Sequence, residues 1–595
     1  MKKKLLVILL SLCVAITSAF TLSACRGKNN NNGGNVDNGG GSSTTTTDDG
    51  KTDNKDNSAT NGGKTDGGKT EGGKTDDGDE NAERKATKGL EFGFIDNETT
   101  QVTGYRGTDA EVYIPSMEGS KRVTRIKADA FAGNRVITSV EMGDNVAEIG
   151  DRAFNDCPNL TVVKIGTGVK SIGNRAFYGS KSLIEAAIPN GVATVGNEAF
   201  YGCSGLTTAA IPDSVTKMGY KAFRNCTGLT SATIGSGLTE IEDETFRDCT
   251  RLTGVTIGSG VTVIGQDAFS TCTKLADVTI SGNVAQIEMG AFVDCSNLTS
   301  IEIPNSIRAV GVTAFNGTGL TFTEDNGARY LGNSGNRYLV LIEAKDKEAI
   351  TSYDINANAK VIADMAFYRC ENLTTVSMPE SVTDIGVQAF SSCGKLSNFT
   401  MSNGLLTIGQ EAFASCIGLT GLTIPDSVTD IGQFAFQDCQ CLAKVTGCGG
   451  VMTIGEHAFH GCNELTDIML PGTLTKIPAY MFYGCKKLGN ITLPSSLMRI
   501  EDNAFNGCEK LSNVTIPGGV TTIGAQAFAY CTSFTEITIP LSVRRMDNEV
   551  FIGCTKLTKI NCEAESWDAV SGGWYINWTG LAENAVKVNW NYKGN

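Results

Sequence analysis

At 595 residues the chain exceeds what one ordinary core supports, so it holds several domains or a repeat array. Glycine is frequent at 70 and proline sparse at 12, without a collagen-like period, and 41% hydrophobic residues suffice for a packed interior; a wholly disordered or fibrous chain is excluded. A formal charge of −14 excludes the clustered basic face that nucleic-acid binding needs and leaves an acidic, well-solvated surface.

The chain begins with a basic stretch, Met1 to Lys4, and an apolar run, Leu5 to Ala19, of signal-peptide length and too short to span a membrane comfortably. The run leads into Leu22-Ser23-Ala24-Cys25, which resembles the lipobox of bacterial lipoproteins. That resemblance implies cleavage before Cys25 and diacylation of its thiol, and two acyl chains give stable anchoring where one is marginal. The alternative is ordinary cleavage with Cys25 a bystander; Cys13 leaves with the signal. From Arg26 to Lys88 the sequence is Asn, Gly, Thr, Asp and Lys, with the unit Gly62-Gly63-Lys64-Thr65-Asp66 repeated, and no core can form there. A flexible chain of that length reaches on the order of 45 Å, enough to lift a folded part off a membrane.

From Phe131 a 23-residue period takes over. Phe131, Phe154, Phe177, Phe200, Phe223, Phe246, Phe269, Phe292 and Phe315 form one register, and Phe367, Phe390, Phe413, Phe436, Phe459, Phe482, Phe505, Phe528 and Phe551 a second. Counting Phe as zero, Ala usually precedes it, Cys follows at +3, Leu at +6, an aliphatic residue at +9, Ile or Met at +11, Val or Leu at +15 and Ile at +18, as in Phe154, Cys157, Leu160, Val163, Ile165, Val169 and Ile172. Positions +9 and +11 lie on one face of a strand. Pro at +12, as in Pro212 and Pro425, ends that strand because it lacks a ladder donor. Gly at +19, as in Gly173, Gly196, Gly265 and Gly386, suits a bend with unusual dihedrals. Only the Ala-Phe-x-x-Cys stretch has helical spacing, with room for one turn. These spacings are what a leucine-rich-repeat solenoid requires.

The string Ile-Gly-x-x-Ala-Phe-x-x-Cys-x-x-Leu-Thr-x-Val-x-Ile-Pro-x-Ser-Val-Thr, nearly complete from Ile408 to Val428, resembles the BspA-like family of leucine-rich repeats. The resemblance covers residues 100 to 562 and implies a curved, mostly β solenoid. For characterised members it implies adhesion to host matrix or plasma proteins and to other microbes. The expected architecture is eighteen 23-residue repeats with short strands and single helical turns, interrupted by one hairpin insert. Its segments are 1–24 signal peptide, 25–88 lipidated cysteine and tether, 89–127 N-terminal cap, 128–315 first repeat block, 316–364 insert, 365–562 second block, and 563–595 a Trp-rich C-terminal cap.

Fifteen of the twenty cysteines occupy Phe+3, where Asn134, Ser180 and Thr318 stand in the other units. Equivalent residues of stacked coils point the same way, which disfavours disulfides, and zinc-type Cys-x-x-Cys pairs are absent from the sequence. A column of buried thiols acting as small apolar fillers is expected. Residues Asn316 to Asp364 lack the repeat pattern; Tyr330-Leu331-Gly332-Asn333 and Tyr338 to Ile342 read as a hairpin, either re-aiming the solenoid or presenting Tyr330, Tyr338 and Tyr353 as a contact. The four tryptophans, Trp567, Trp574, Trp578 and Trp590, read as a cap over the last coil, with a carbohydrate-stacking platform as the alternative.

Position +10 lies between two inward residues and therefore faces out. It is Thr at Thr233, Thr256, Thr279, Thr400, Thr423, Thr446, Thr492, Thr515 and Thr538, which is either plain β propensity or a broad, weakly charged docking face. That face lacks the aromatic and Arg anchors of tight interfaces, so modest or multivalent affinity is expected. The only histidines, His457 and His460, read as exposed variants of ordinary positions, and no phosphate loop or nucleophile elbow is present. No catalytic residue, metal or cofactor is expected, with an enzyme hidden in the insert or cap as a third reading. Expected partners are host or microbial surface proteins, with glycans as the alternative, and the membrane through the lipid anchor.

Overall fold

The computed structural model describes residues 85–582 and 585–593. The signal peptide, Cys25 and nearly all of the tether lie outside the described residues. Most coils contribute two short strands. Apolar +9 and +11 make the first, as in Thr208–Ile211, Ser231–Ile234 and Gly254–Ile257, which pair parallel in a register shifted by one repeat, Ala232 opposite Ala209 and Val255 opposite Ala232. Ile or Met at +18 closes the second, a two-residue strand such as Ser171–Ile172, Thr194–Val195 or Lys217–Met218, again parallel to its neighbours. Pro at +12 ends the first strand and opens a turn, its carbonyl accepting the +15 N–H, as Pro212 does from Val215 at 3.1 Å.

The helical turn expected at each Phe does not form; none of the described residues is helical. The segment makes successive turns, with Ala153 N–H on Gly150 O at 3.2 Å and Asn155 N–H on Arg152 O at 3.0 Å, while Arg152 (φ 56°) and Asp156 (φ 51°) take the left-handed conformation that stops a helix. This conformation turns alternate N–H groups along the solenoid axis: Arg152, Phe154 and Asp156 donate to Asn174, Ala176 and Tyr178 of the next coil at 2.9, 2.7 and 2.7 Å. A left-handed non-glycine residue costs about 1–2 kcal/mol, which three inter-coil hydrogen bonds offset. The +19 glycines also serve a purpose other than the expected one. None has positive φ; a Cβ on Gly196 would lie 2.5 Å from Asn174 N, so glycine is needed for close approach of adjacent coils.

The repeated Phe rings are buried and stack along the axis, from 4.8 Å between Phe131 and Phe154 to 6.0 Å between Phe459 and Phe482. The thiols do more than fill space. Cys157 Sγ donates to Phe131 O of the preceding coil at 3.0 Å, Cys416 to Phe390 O at 3.1 Å, and Ser180 makes the same bond to Phe154 O at 2.8 Å, which explains why a hydroxyl substitutes there. The described cysteines are free and, apart from Cys441, buried, and burial pushes the thiols of Cys157 and Cys439 up to about 12. Little thiolate exists at neutral pH at these two, so they are inert; Cys370 is instead lowered, by its hydrogen bond with Cys393 and by Lys347.

Between the two Phe registers, Ala328–Asn333 and Asn336–Ala344 pair antiparallel. The second of these strands is buried on both faces: Leu339 and Val340 pack with the core of the first block, Leu341 and Ala344 with that of the second. Residues 344–366, which carry no recognisable repeat pattern, nevertheless complete a coil. Ala344 stands one period before Phe367, Tyr353 pairs with Val376 and Ile362 with Ile385, and Ala344 and Lys347 stand where the repeat has Phe and Cys. Tyr353 supplies the ring instead, 5.3 Å from Phe367, and its hydroxyl meets that of Tyr330 at 2.8 Å. The first block also touches the second directly, through Arg308 on buried Asp384 at 2.9 Å and Asp364 N–H on Val310 O at 2.9 Å.

Candidate binding surface

Residues on the first strand alternate in and out, and the structure places seven of the nine +10 threonines in the open and Thr446 and Thr538 half-buried. Thr233, Thr256 and Thr279 are direct cross-strand partners in one sheet, and Thr423 and Thr446 in another, their hydroxyls 3.0 Å apart. Thr400 lies beside Ser377, Thr538 beside Asn561, and Thr492 and Thr515 stand outside the named strands. Outward +8 residues add Thr208, Ser231 and Gly254, so the middle of the first block is small and neutral. Charges return beyond it, as exposed Asp277 beside Thr279, as Lys164 with Glu141 at 3.9 Å and, at the end of the second block, as Lys559 with Glu536 at 2.8 Å. A second threonine row at +7 ties the strand starts together, Thr230 Oγ1 donating to Thr207 O and Thr253 to Thr230 O, both at 3.0 Å. Parallel strands lie about 4.8 Å apart, so this face offers evenly spaced hydroxyls on a rigid backbone.

Aromatic and Arg side chains do gather, but on the Phe turn, at positions −2 and +1. In the second block Phe434, His457 and Tyr480 stack at 4.5 Å each, beside His460 on Tyr483 at 4.8 Å. In the first, Tyr178 stacks on Tyr201 at 4.8 Å, and Arg224 and Arg247 share Glu244, with Arg247 also on Asp267 at 2.9 Å. Sequence reading missed this column; the signal was polar and aromatic identities recurring at 23-residue spacing outside the apolar positions. The two histidines are therefore half-buried ring-stack members, not exposed variants. Their Nδ1 atoms are 3.3 Å apart. Burial and the neighbouring His460 bring His457 down to about 4, and burial lowers His460 against an opposing pull from Asp438.

Because the folded state holds these imidazoles neutral, their contribution to stability is complete above the unfolded histidine value near 6.5 and is lost as pH falls towards 4. The thermal midpoint should drop over that window. His457→Phe, which extends the ring stack without a titrating group, should flatten the drop in a side-by-side melting series; parallel curves for the two proteins would refute the assignment.

At the C-terminus Trp574 and Trp578 are buried, and Trp578 meets Phe551 edge-on at 6.3 Å. Those two rings cover the last coil and have no face free for a sugar; Trp567 and Trp590 pack against the same core half-buried, and Tyr575 is exposed. Tyr330 and Tyr353 are likewise buried and unable to act as a protruding contact. Among the described residues no helix is long and apolar enough to cross a membrane.

Parallel stacking of 23-residue coils around Phe, Leu, Val and Ile columns defines a leucine-rich-repeat solenoid. The BspA type leucine rich repeat region model, built of six copies, matches residues 110–230, 217–328, 345–466 and 452–568. The chain belongs to this family of BspA-type leucine-rich repeat proteins. No curated protein matches it. Among solved structures it is similar to a leucine-rich repeat protein of Bacteroides ovatus, at 21% identity over 84% of this chain and 98% of that one with a TM-score of 0.33. It is also similar to a leucine rich cell surface protein of Faecalibacterium prausnitzii, at 25% identity over 69% and 95% with a TM-score of 0.27. A T. pallidum leucine rich repeat protein matches at 26% identity over 32% and 89%, TM-score 0.30. The family provides a protein-binding repeat scaffold on bacterial surface proteins.

Proposed function

We propose that this chain is a bacterial cell-surface lipoprotein, anchored through Cys25 and lifted by residues 26–88, that binds host or microbial proteins on its threonine-lined strand face. The observation that carries the reading is the in-register row Thr233, Thr256 and Thr279, with uncharged Thr208, Ser231 and Gly254 beside it and exposed Asp277 at its end. Such a face can meet an extended partner along several coils. Without desolvated aromatic or Arg anchors each contact is weak, so avidity supplies the strength. The signal and lipobox-like sequence support export and anchoring.

The test presents the purified chain to immobilised host matrix proteins, to mucin and to neighbouring bacterial cells, beside the double variant Thr256→Arg, Thr423→Arg. Retention on a protein or cell surface that falls about tenfold or more in the variant, with stability changed by less than about 0.5 kcal/mol, is expected. Retention unaffected by the two arginines would show that binding uses another face; loss of mucin retention on deleting Ala564 to Asn595 would favour a glycan ligand at the C-terminal cap.

A further inference from the structure

Every repeat Phe except Phe315 donates its backbone N–H to the next coil or, for Phe551, to Thr579 of the C-terminal segment. The flanking −2 and +2 positions behave alike: within the first block Gly290 and Asp294 donate to Val312 and Asn316 at 3.2 and 2.7 Å. The first block's last turn breaks the series. Thr313, Phe315 and Gly317 hold the same conformation, with φ of 60° at Thr313 and 72° at Gly317, but their three N–H groups have no acceptor among the described residues. The coil that should cover them is displaced by the hairpin, and Ala344 replaces its Phe. The space left is a cavity of about 220 Å³ lined by Val310 to Thr318 on one side and by Phe322, Arg329, Ile342, Glu343, Lys347 and Ala363 to Met365 on the others.

A row of N–H groups held by alternating right- and left-handed backbone is an anion-binding concavity, and a buried N–H left unmatched costs about 1–3 kcal/mol. Phe315 is buried whereas Thr313 and Gly317 are exposed, so only its N–H can carry that penalty. Lys347 contributes a cation to the same cavity with no carboxylate partner among the described residues, its ammonium 5.9 Å from the Tyr368 ring. Arg329 is neutralised by Glu343 at 2.9 Å. Two acids remain: the Asp294 carboxylate lies against Gly317, and Asp364 accepts the Val387 N–H at 2.7 Å, its carboxyl raised by burial to about 7, which limits its repulsion of an incoming anion.

We propose that this cavity is an oxyanion site, taking the carboxylate, sulfate or phosphate group of a small ligand on the N–H groups of Thr313, Phe315 and Gly317 with Lys347 as counter-charge. The volume admits such a group with a ring-sized remainder attached. It is independent of the strand face, so either can fail without the other.

The experiment labels the full chain with [15N]phenylalanine and titrates it with sodium sulfate, sodium phosphate, sodium glucuronate, and sodium chloride at matched ionic strength. A saturable shift of the Phe315 amide with one or more of the oxyanions, absent with chloride, is expected. Saturation by sulfate or phosphate would identify an inorganic-type ligand, and by glucuronate alone a carboxylate. Lys347→Glu should weaken the response on the order of tenfold or more, the loss of one charge-assisted hydrogen bond, while the amides of Phe residues remote from the cavity, such as Phe154 and Phe505, unmoved, certify the fold. A Phe315 amide that ignores all three oxyanions, follows chloride equally, or responds identically in Lys347→Glu would mean a cavity occupied by water alone and would overturn the proposal.

Discussion

Phe413→Ala is expected to destabilise the second block by about 3–5 kcal/mol, measured as a fall in the urea midpoint. The ring is fully buried, stacked 5.3 Å from Phe390 and 5.4 Å from Phe436, and struck edge-on by Phe399 at 4.8 Å. Neighbouring coils are tied by the hydrogen bonds of the Phe turn and cannot collapse into the hole, so the transfer loss and the cavity loss add. Stability in a stack of repeats is a sum of nearest-neighbour terms, so damage at the middle of a block uncouples the coils on either side. One transition should therefore divide into two. A loss below about 1 kcal/mol with a single unchanged transition would mean that the Phe stack is not the axis of the fold.

Removing residues 563–595 should do comparable damage by a different route. Trp574 and Trp578 each bury surface worth roughly 4–6 kcal/mol at most, and Trp574 also donates to Val543 O at 3.2 Å. The N–H groups of Glu549, Val550 and Phe551 lose their acceptors Asn577, Trp578 and Thr579 at 2.9, 2.7 and 3.1 Å. The last coil would then show other copies an apolar end and a strand, Lys559–Cys562, with one edge unpaired. Light scattering should report self-association of the truncated chain together with a lower melting point. A monodisperse truncated protein melting with the full chain would show that these residues are an appendage and not a cap.

The inward columns were legible because each apolar position recurs with the coil, and a period that long admits one stacking solution. Buried Phe, Leu at +6 and the paired strands all follow from it. What escaped the sequence is set by backbone and by neighbours. Arg152 and Asp156 carry no sign of left-handed φ, since the demand comes from the carbonyls of Asn174 and Tyr178 one coil away. Gly196 reads as a bend but is required by the distance to Asn174. The coil at residues 344–366 hid because Ala replaces its Phe and Tyr353 supplies the ring from another position. On the surface, the outward threonines were read from alternation alone, whereas the stack of Phe434, His457 and Tyr480 needed the turn geometry that brings −2 residues of successive coils together. Cys25 is readable only in sequence and lies outside the described residues.

Chemical footprinting tests the central claim most directly, because the native buried thiols do not compete for the reagent. In a Cys441→Ser background, single substitutions Thr256→Cys, Thr423→Cys and Tyr575→Cys introduce one accessible thiol on the strand face of each block or on the C-terminal segment. Each protein is alkylated free and bound to whichever surface retains it. The thiols introduced at Thr256 and Thr423 are expected to be shielded by the partner and that at Tyr575 to react as before. Shielding at Tyr575 with both strand-face thiols still reactive would contradict it.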